Sequence, residues 1–164
     1  MYAPVDDNTQ GFMHDHLDDY ETGDTNADGD PVIRQPIRIF SPADVDKFMQ
    51  ILDRNKNDGN NFSQYYSTLV TSTGTYTLKF SGAASEIKTG FQGPTWGGKF
   101  IHYFAKAKGN NDMSKFLRFV RDEMKITGLE LYEIKKGGIL ANRVQLNPDN
   151  ENRVTSTPCA GGVS

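Results

Sequence analysis

Tyr65-Tyr66-Ser67-Thr68-Leu69-Val70-Thr71-Ser72-Thr73-Gly74-Thr75-Tyr76-Thr77-Leu78-Lys79-Phe80 is the stretch on which the fold turns. β-Branched and aromatic residues fill two runs, Tyr65 to Thr71 and Thr75 to Phe80, and Ser72-Thr73-Gly74 separates them. Such side chains suit a pleated, half-buried surface, and a short glycine-containing link joins antiparallel neighbours, so a β-hairpin is expected. Upstream, Val45, Phe48, Met49 and Leu52 recur at i, i+3, i+4 and i+7, the stripe of an amphipathic helix. Ser41 suits its N-cap, Pro42 its first position, and Asp44 stands three residues after the cap. Asn55 to Asn61 is a turn-rich stop.

Downstream, Ser81 to Gly98 is a Gly-rich connection containing Trp96. Lys99 to Lys108 and Asp112 to Lys125 are expected as helices, the second with Met113, Phe116, Leu117, Val120 and Met124 on one side. Leu129 to Ile134, a Lys135-Lys136-Gly137-Gly138 turn and Ile139 to Leu146 return the chain to sheet. With a short strand at Gly11–His16, the order predicts an α+β fold of α/β type. Its mixed sheet has a hairpin core packed against roughly three helices. Residues 1–10 and 147–164 are expected to be irregular tails, and Leu17 to Pro36, rich in Asp, Gly and Asn, a long acidic loop.

The length of 164 residues suits a single domain with a real core. No apolar run approaches the ~20 residues of a membrane span, and Met1-Tyr2-Ala3-Pro4 leads directly into polar sequence rather than a signal peptide. The one cysteine, Cys159, excludes an internal disulfide framework and an all-thiolate metal site, and leaves the compartment open. Residues 1–30 carry nine acids and no Lys or Arg, whereas the remainder has 12 acids and 18 basic residues. An acidic arm repels phosphates and accommodates cations, so no nucleic-acid partner is expected for it.

The residues with most chemical content are His14-Asp15-His16 and Ser41-Pro42-Ala43-Asp44. On a strand, His14 and His16 point the same way, together with Phe12. Two imidazoles and a carboxylate from Asp44 meet the needs of a divalent zinc ion with a position left for water. Such an ion acidifies its water into a nucleophile. Ser41, one turn before Asp44, can stabilise an oxyanion or orient a ligand. The alternative is plain: Ser-x-x-Asp before an apolar-periodic run is also a capping box, with no chemistry beyond the helix end.

Gly11-Phe12-Met13-His14-Asp15-His16 and Phe40-Ser41-Pro42-Ala43-Asp44 resemble the JAB/MPN (JAMM) metallopeptidase signature, which joins a His-x-His strand to a Ser-x-x-Asp helix start. The resemblance covers about the first half of the chain. It is similar in feel to JAB-like domains at the C-terminal ends of large bacterial surface or toxin proteins, and so implies the C-terminal part of a longer parent. By that resemblance His14, His16 and Asp44 are zinc ligands, Ser41 stabilises the intermediate, and the substrate is a protein or peptide, cut at a peptide or isopeptide bond. Two departures stand out. The His16–Ser41 gap of 24 residues is longer than the family's, and residues 1–13 contain no glutamate where the family places its general base, only Asp6 and Asp7. Either that glutamate lies in a missing N-terminal part, or Glu86, Glu130 or another acid serves, or the domain is a non-catalytic, metal-stabilised or metal-free interaction module.

A second motif competes for a metal. Asp24, Asn26, Asp28 and Asp30, with Gly29, have the spacing of a calcium loop, but Gln35 stands where the bidentate carboxylate belongs, so a solvated turn is the alternative. His102, beside Phe100, Ile101, Tyr103 and Phe104, is expected to pack rather than react, and Trp96 to anchor a loop in the core. Gly97-Gly98-Lys99 lacks the spacing of a phosphate-binding loop.

Overall fold

The computed structural model describes residues 9–57, 61–109, 111–135 and 140–159. Along the chain run β1 (Gly11–Asp15), β2 (Tyr20–Thr25), β3 (Pro31–Arg34), α1 (Pro42–Arg54), β4 (Tyr66–Thr71), β5 (Gly74–Phe80), α2 (Pro94–Lys106), α3 (Asp112–Asp122), β6 (Leu129–Ile134), β7 (Ala141–Asn147) and β8 (Asn150–Pro158). Six strands form one mixed sheet in the order β1-β4-β5-β6-β7-β8, and β2 and β3 form a separate ribbon. The fold is α+β. The β1–β4 ladder is parallel and the other ladders of the large sheet are antiparallel.

One row of paired residues crosses all six strands: Phe12, Ser67, Leu78, Leu131, Val144 and Ser156. Leu78, Leu131 and Val144 are buried on the face that the helices cover. There α1 lies against β1 and β4, α3 against β7 and β8, and α2 bridges α1 and α3. The next row places His14 beside Leu69 and Tyr76. His14 therefore faces the helix layer, because side chains two apart on a strand share a face. Thr68 and Thr77, whose hydroxyls meet at 3.0 Å, lie on the opposite face.

The α1 stripe packs as its periodicity predicts: Val45, Phe48, Met49 and Leu52 are fully buried, joined by Ile51. At its far end Asn55 donates its side-chain amide to the Ile51 carbonyl at 2.8 Å, adding to the backbone N–H bond that the same residue makes there at 3.3 Å. In α3, Asn111 caps the first turn by accepting from the Ser114 N–H at 2.9 Å. Phe116, Val120 and Phe119 are buried, and Met124 is buried just beyond the helix. α3 stops at Asp122, short of the expected Lys125, because Lys125 takes a left-handed φ of 54° and turns the chain towards β6.

Four expectations are corrected. α2 begins at Pro94 rather than Lys99, on Gly93 at φ 93°, so Gly97 and Gly98 are helical and Trp96 sits in a helix, packed on Phe91 and Phe119. His102 is exposed on α2 rather than packed. The acidic segment 17–36 contains the β2–β3 ribbon rather than being loop throughout. The tail from Asn147 forms β8, paired along β7; its Asn152 and Val154 are half-buried and the rest of the strand faces solvent. Of residues 1–10 only Thr9 and Gln10 are described, and they carry no regular structure. Ile139, Asp6, Asp7 and the centre of the Lys135–Gly138 turn lie outside the described residues. Among those described, no helix is long and apolar enough to cross a membrane.

Candidate metal centre

The parallel β1–β4 ladder and the capped start of α1 bring His14, His16 and Asp44 together. One ligand atom from each lies within 4.8 Å of the others, and among the described residues this is the one such group of three His, Cys, Asp or Glu side chains. His14 Nε2 is 3.2 Å from Asp44 Oδ1, and His16 Nε2 is 3.5 Å from Asp44 Oδ2. The Asp44 side chain is completely buried, while those of His14 and His16 keep 16% and 20% exposure. A buried carboxylate thus faces two rings that open onto solvent on one side.

Each ligand is held by a different element. His14 stacks on Phe12 at 5.5 Å between ring centres and meets Phe40 edge-on at 6.1 Å. The backbone N–H of His16 donates to the Val70 carbonyl at 3.1 Å, extending the ladder one residue past β1. The His16 Nδ1 donates to the Ile37 carbonyl at 3.1 Å. A carbonyl only accepts, so Nδ1 carries hydrogen and Nε2 is the atom turned to Asp44, the arrangement that orients metal-binding histidines. Sequence alone gave no sign of Ile37, since its contribution is a backbone atom; Phe12 and Phe40 flank the motif as ordinary apolar residues.

Asp44 serves the helix as well. Its Oδ2 accepts from the Ser41 N–H at 2.7 Å, while its own N–H faces Ser41 Oγ at 3.3 Å, so the capping box is present. The cap and the centre are therefore compatible: the carboxylate closes the helix end and still presents both oxygens to the histidines.

The two contacts run to different oxygens of Asp44, Oδ1 for His14 and Oδ2 for His16, so each imidazole faces its own carboxylate oxygen. The Asp44 carboxylate, by hydrogen bond first and also by charge, raises the His16 pKa above its ordinary value against the opposing effect of burial. Proton and cation then compete for the same Nε2.

The other candidates do not join this group. Glu130 lies on β6, three strands from β1, on the face opposite Leu131, where it meets Arg143 at 2.7 Å and accepts from Ser81 and Tyr132. Glu86 accepts from Thr127 Oγ1 at 2.6 Å and from the Ala83 N–H at 2.7 Å. Asp24 lies near the end of β2, Asn26, Asp28 and Asp30 lie in the turn that leads to β3, and no three carboxylates converge there. Asn26 Oδ1, the expected ligand at the third position, accepts instead from the N–H groups of Asp28 and Asp30 at 3.0 and 2.9 Å. Gly29 at φ 85° completes the turn.

No protein family model matches the chain, and no curated protein or solved structure matches it.

Proposed function

We propose that His14, His16 and Asp44 hold a divalent ion, zinc by donor set, in a centre for hydrolysis of a peptide or isopeptide bond. The observation that carries this reading is the convergence of two imidazoles on one buried carboxylate, with one ligand atom from each residue within 4.8 Å of the others. The order His-x-His, then Ser-x-x-Asp, and the likeness of these segments to the JAB/MPN signature support it further. Three protein ligands leave one position open.

When bound, such an ion polarises a carbonyl and acidifies water. The chain's own residues supply the setting. Asp44 offers a buried negative charge, Ile37 fixes the His16 tautomer, and Phe12 and Phe40 hold the His14 ring. Ser41 lines the same groove as His16, so its hydroxyl can donate to an oxygen that gains charge there. None of His14, His16, Ser41 and Asp44 is the general base of such a reaction. That gap favours a second reading, a metal-stabilised interaction module.

The test is proteolysis. Zinc-loaded protein is incubated with a mixed peptide library and with an isopeptide-linked pair, and new termini are counted by mass spectrometry. New termini that vanish with EDTA and in Asp44→Asn support hydrolysis. Bound zinc without cleavage selects the interaction module, and failure to bind zinc removes both readings.

A further inference from the structure

Beside the candidate centre lies a groove of about 690 Å³ between the base of the β2–β3 ribbon, the start of α1 and one side of α2. Its floor is Ile39 and Phe100, both buried in the core and so fixed in place. Its walls are unusually apolar for open surface: Leu17 is 66% exposed, Ile101 64% and Tyr20 39%. His16 and Ser41 close one end. A large side chain seated on this floor would keep its own backbone next to the centre.

The ribbon that forms one wall is strongly acidic. Asp18 bonds to Ser72, and Arg38 pairs with Asp19 and Asp18. Among the described residues Glu21, Asp24, Asp28 and Asp30, all exposed, have no cation within ion-pair distance. Arg34 is the one cation on the groove lining, opposite Tyr20 in the ribbon register. The ribbon buries almost nothing of its own, with every residue of β2 exposed. A two-stranded ribbon is marginal by itself; this one meets the groove at its base, through Tyr20 and Arg34, and carries its unpaired carboxylates outward from there towards its turn.

We propose that the groove docks a cationic polypeptide segment, seating one large aliphatic side chain over Ile39 and Phe100 and laying lysines or arginines along the acidic ribbon. This rests on the hydrolytic reading of the centre for its consequence, since the groove would then select the substrate. The docking itself needs no metal. Burial of an aliphatic side chain supplies most of the affinity, and the ribbon charge supplies selectivity and a salt-sensitive on-rate.

The experiment measures fluorescence anisotropy of the full chain with a labelled short peptide carrying one leucine flanked by lysines. Two matched probes replace the lysines by glutamates or the leucine by serine. The leucine–lysine peptide should bind at least about tenfold more tightly than either. Leu17→Ser with Ile101→Ser should weaken it about tenfold, and so should Asp24→Lys with Asp28→Lys. Both pairs are exposed, and circular dichroism checks that each variant folds. Binding should persist in EDTA and in His14→Ala, so that failure of the metal centre leaves docking measurable. Equal binding of the lysine and glutamate peptides, unchanged affinity in the groove variant, or no binding by the zinc-loaded protein would overturn the proposal.

Discussion

Ser41→Ala separates the two roles that one helix start can play. The variant removes Oγ, which faces the Asp44 N–H at 3.3 Å, but leaves the Ser41 N–H donating to Asp44 Oδ2 at 2.7 Å. The Asp44 amide is not orphaned either, because the Ser41 carbonyl lies 3.1 Å away. Loss of a serine cap costs about 0.5–2 kcal/mol, and the long, shared bond places this one near about 1 kcal/mol. For a chain of this size that is a fall of about 3 °C in Tm, read by circular dichroism in EDTA. Zinc affinity should change by less than about threefold, since Ser41 is not a ligand in this account. If the hydroxyl also donates to a developing oxyanion, turnover of any cleaved peptide should drop about 10²–10³-fold with the fold intact. A stability loss above about 3 kcal/mol, or loss of zinc by a folded variant, would refute this separation of cap from ligand set.

Asp44→Asn keeps an acceptor for the Ser41 N–H but removes the charge facing both histidines. Outer-shell changes alone cost metal sites about 10–100-fold, so loss of this ligand should weaken zinc by more than about a hundredfold in a competition titration with a chelating dye. Excising Glu21 to Ile33 in favour of a short glycine link should leave the urea midpoint of the six-stranded sheet nearly unchanged, because the ribbon contributes no residue to the core. A drop of several kcal/mol would show that the ribbon supports the fold. Burial, and then the hydrogen bond to Glu130, push the Tyr132 hydroxyl up to about 12. The unfolded chain loses that proton near pH ~10, so the contribution of Tyr132 is fully present below that pH and disappears as pH rises towards the folded value. Urea midpoints at about pH 9 and about pH 11 should therefore fall less in Tyr132→Phe than in the parent chain; equal falls would count against the assignment. Tyr76 and Tyr103 are raised by burial too and keep part of the slope.

The sequence announced elements wherever one face is buried. Val45, Phe48, Met49 and Leu52 mark α1 because all four enter the core, and Leu69, Leu78 and Leu131 mark the strands that carry them. It was silent where burial is slight. β8 buries only parts of Asn152 and Val154, and β2 buries nothing, so neither shows an apolar alternation and both look like loop. The ribbon forms through its Asn26–Gly29 turn and backbone pairing, which are weak sequence signals. The first turn of α2 was hidden by Gly97 and Gly98, poor helix formers that are tolerated there once Trp96 and Phe100 pack inward. The shared face of His14 and His16 and the place of Asp44 at a helix start were legible from period two and the capping pattern, but their convergence depends on the parallel β1–β4 pairing that sets β1 beside α1. The Ile37 carbonyl that orients His16 depends on how the chain returns after the ribbon, and no residue type encodes it.

Zinc stoichiometry tests the central claim most directly. Native mass spectrometry on chain purified without chelator, then reconstituted with zinc, counts ions per folded molecule beside His14→Ala and Asp44→Asn. The account predicts one zinc per chain, absent from both variants while circular dichroism shows the sheet and helices retained. A folded parent chain that takes up no zinc, or variants that keep it, would contradict the account and leave a helix cap with two histidines beside it.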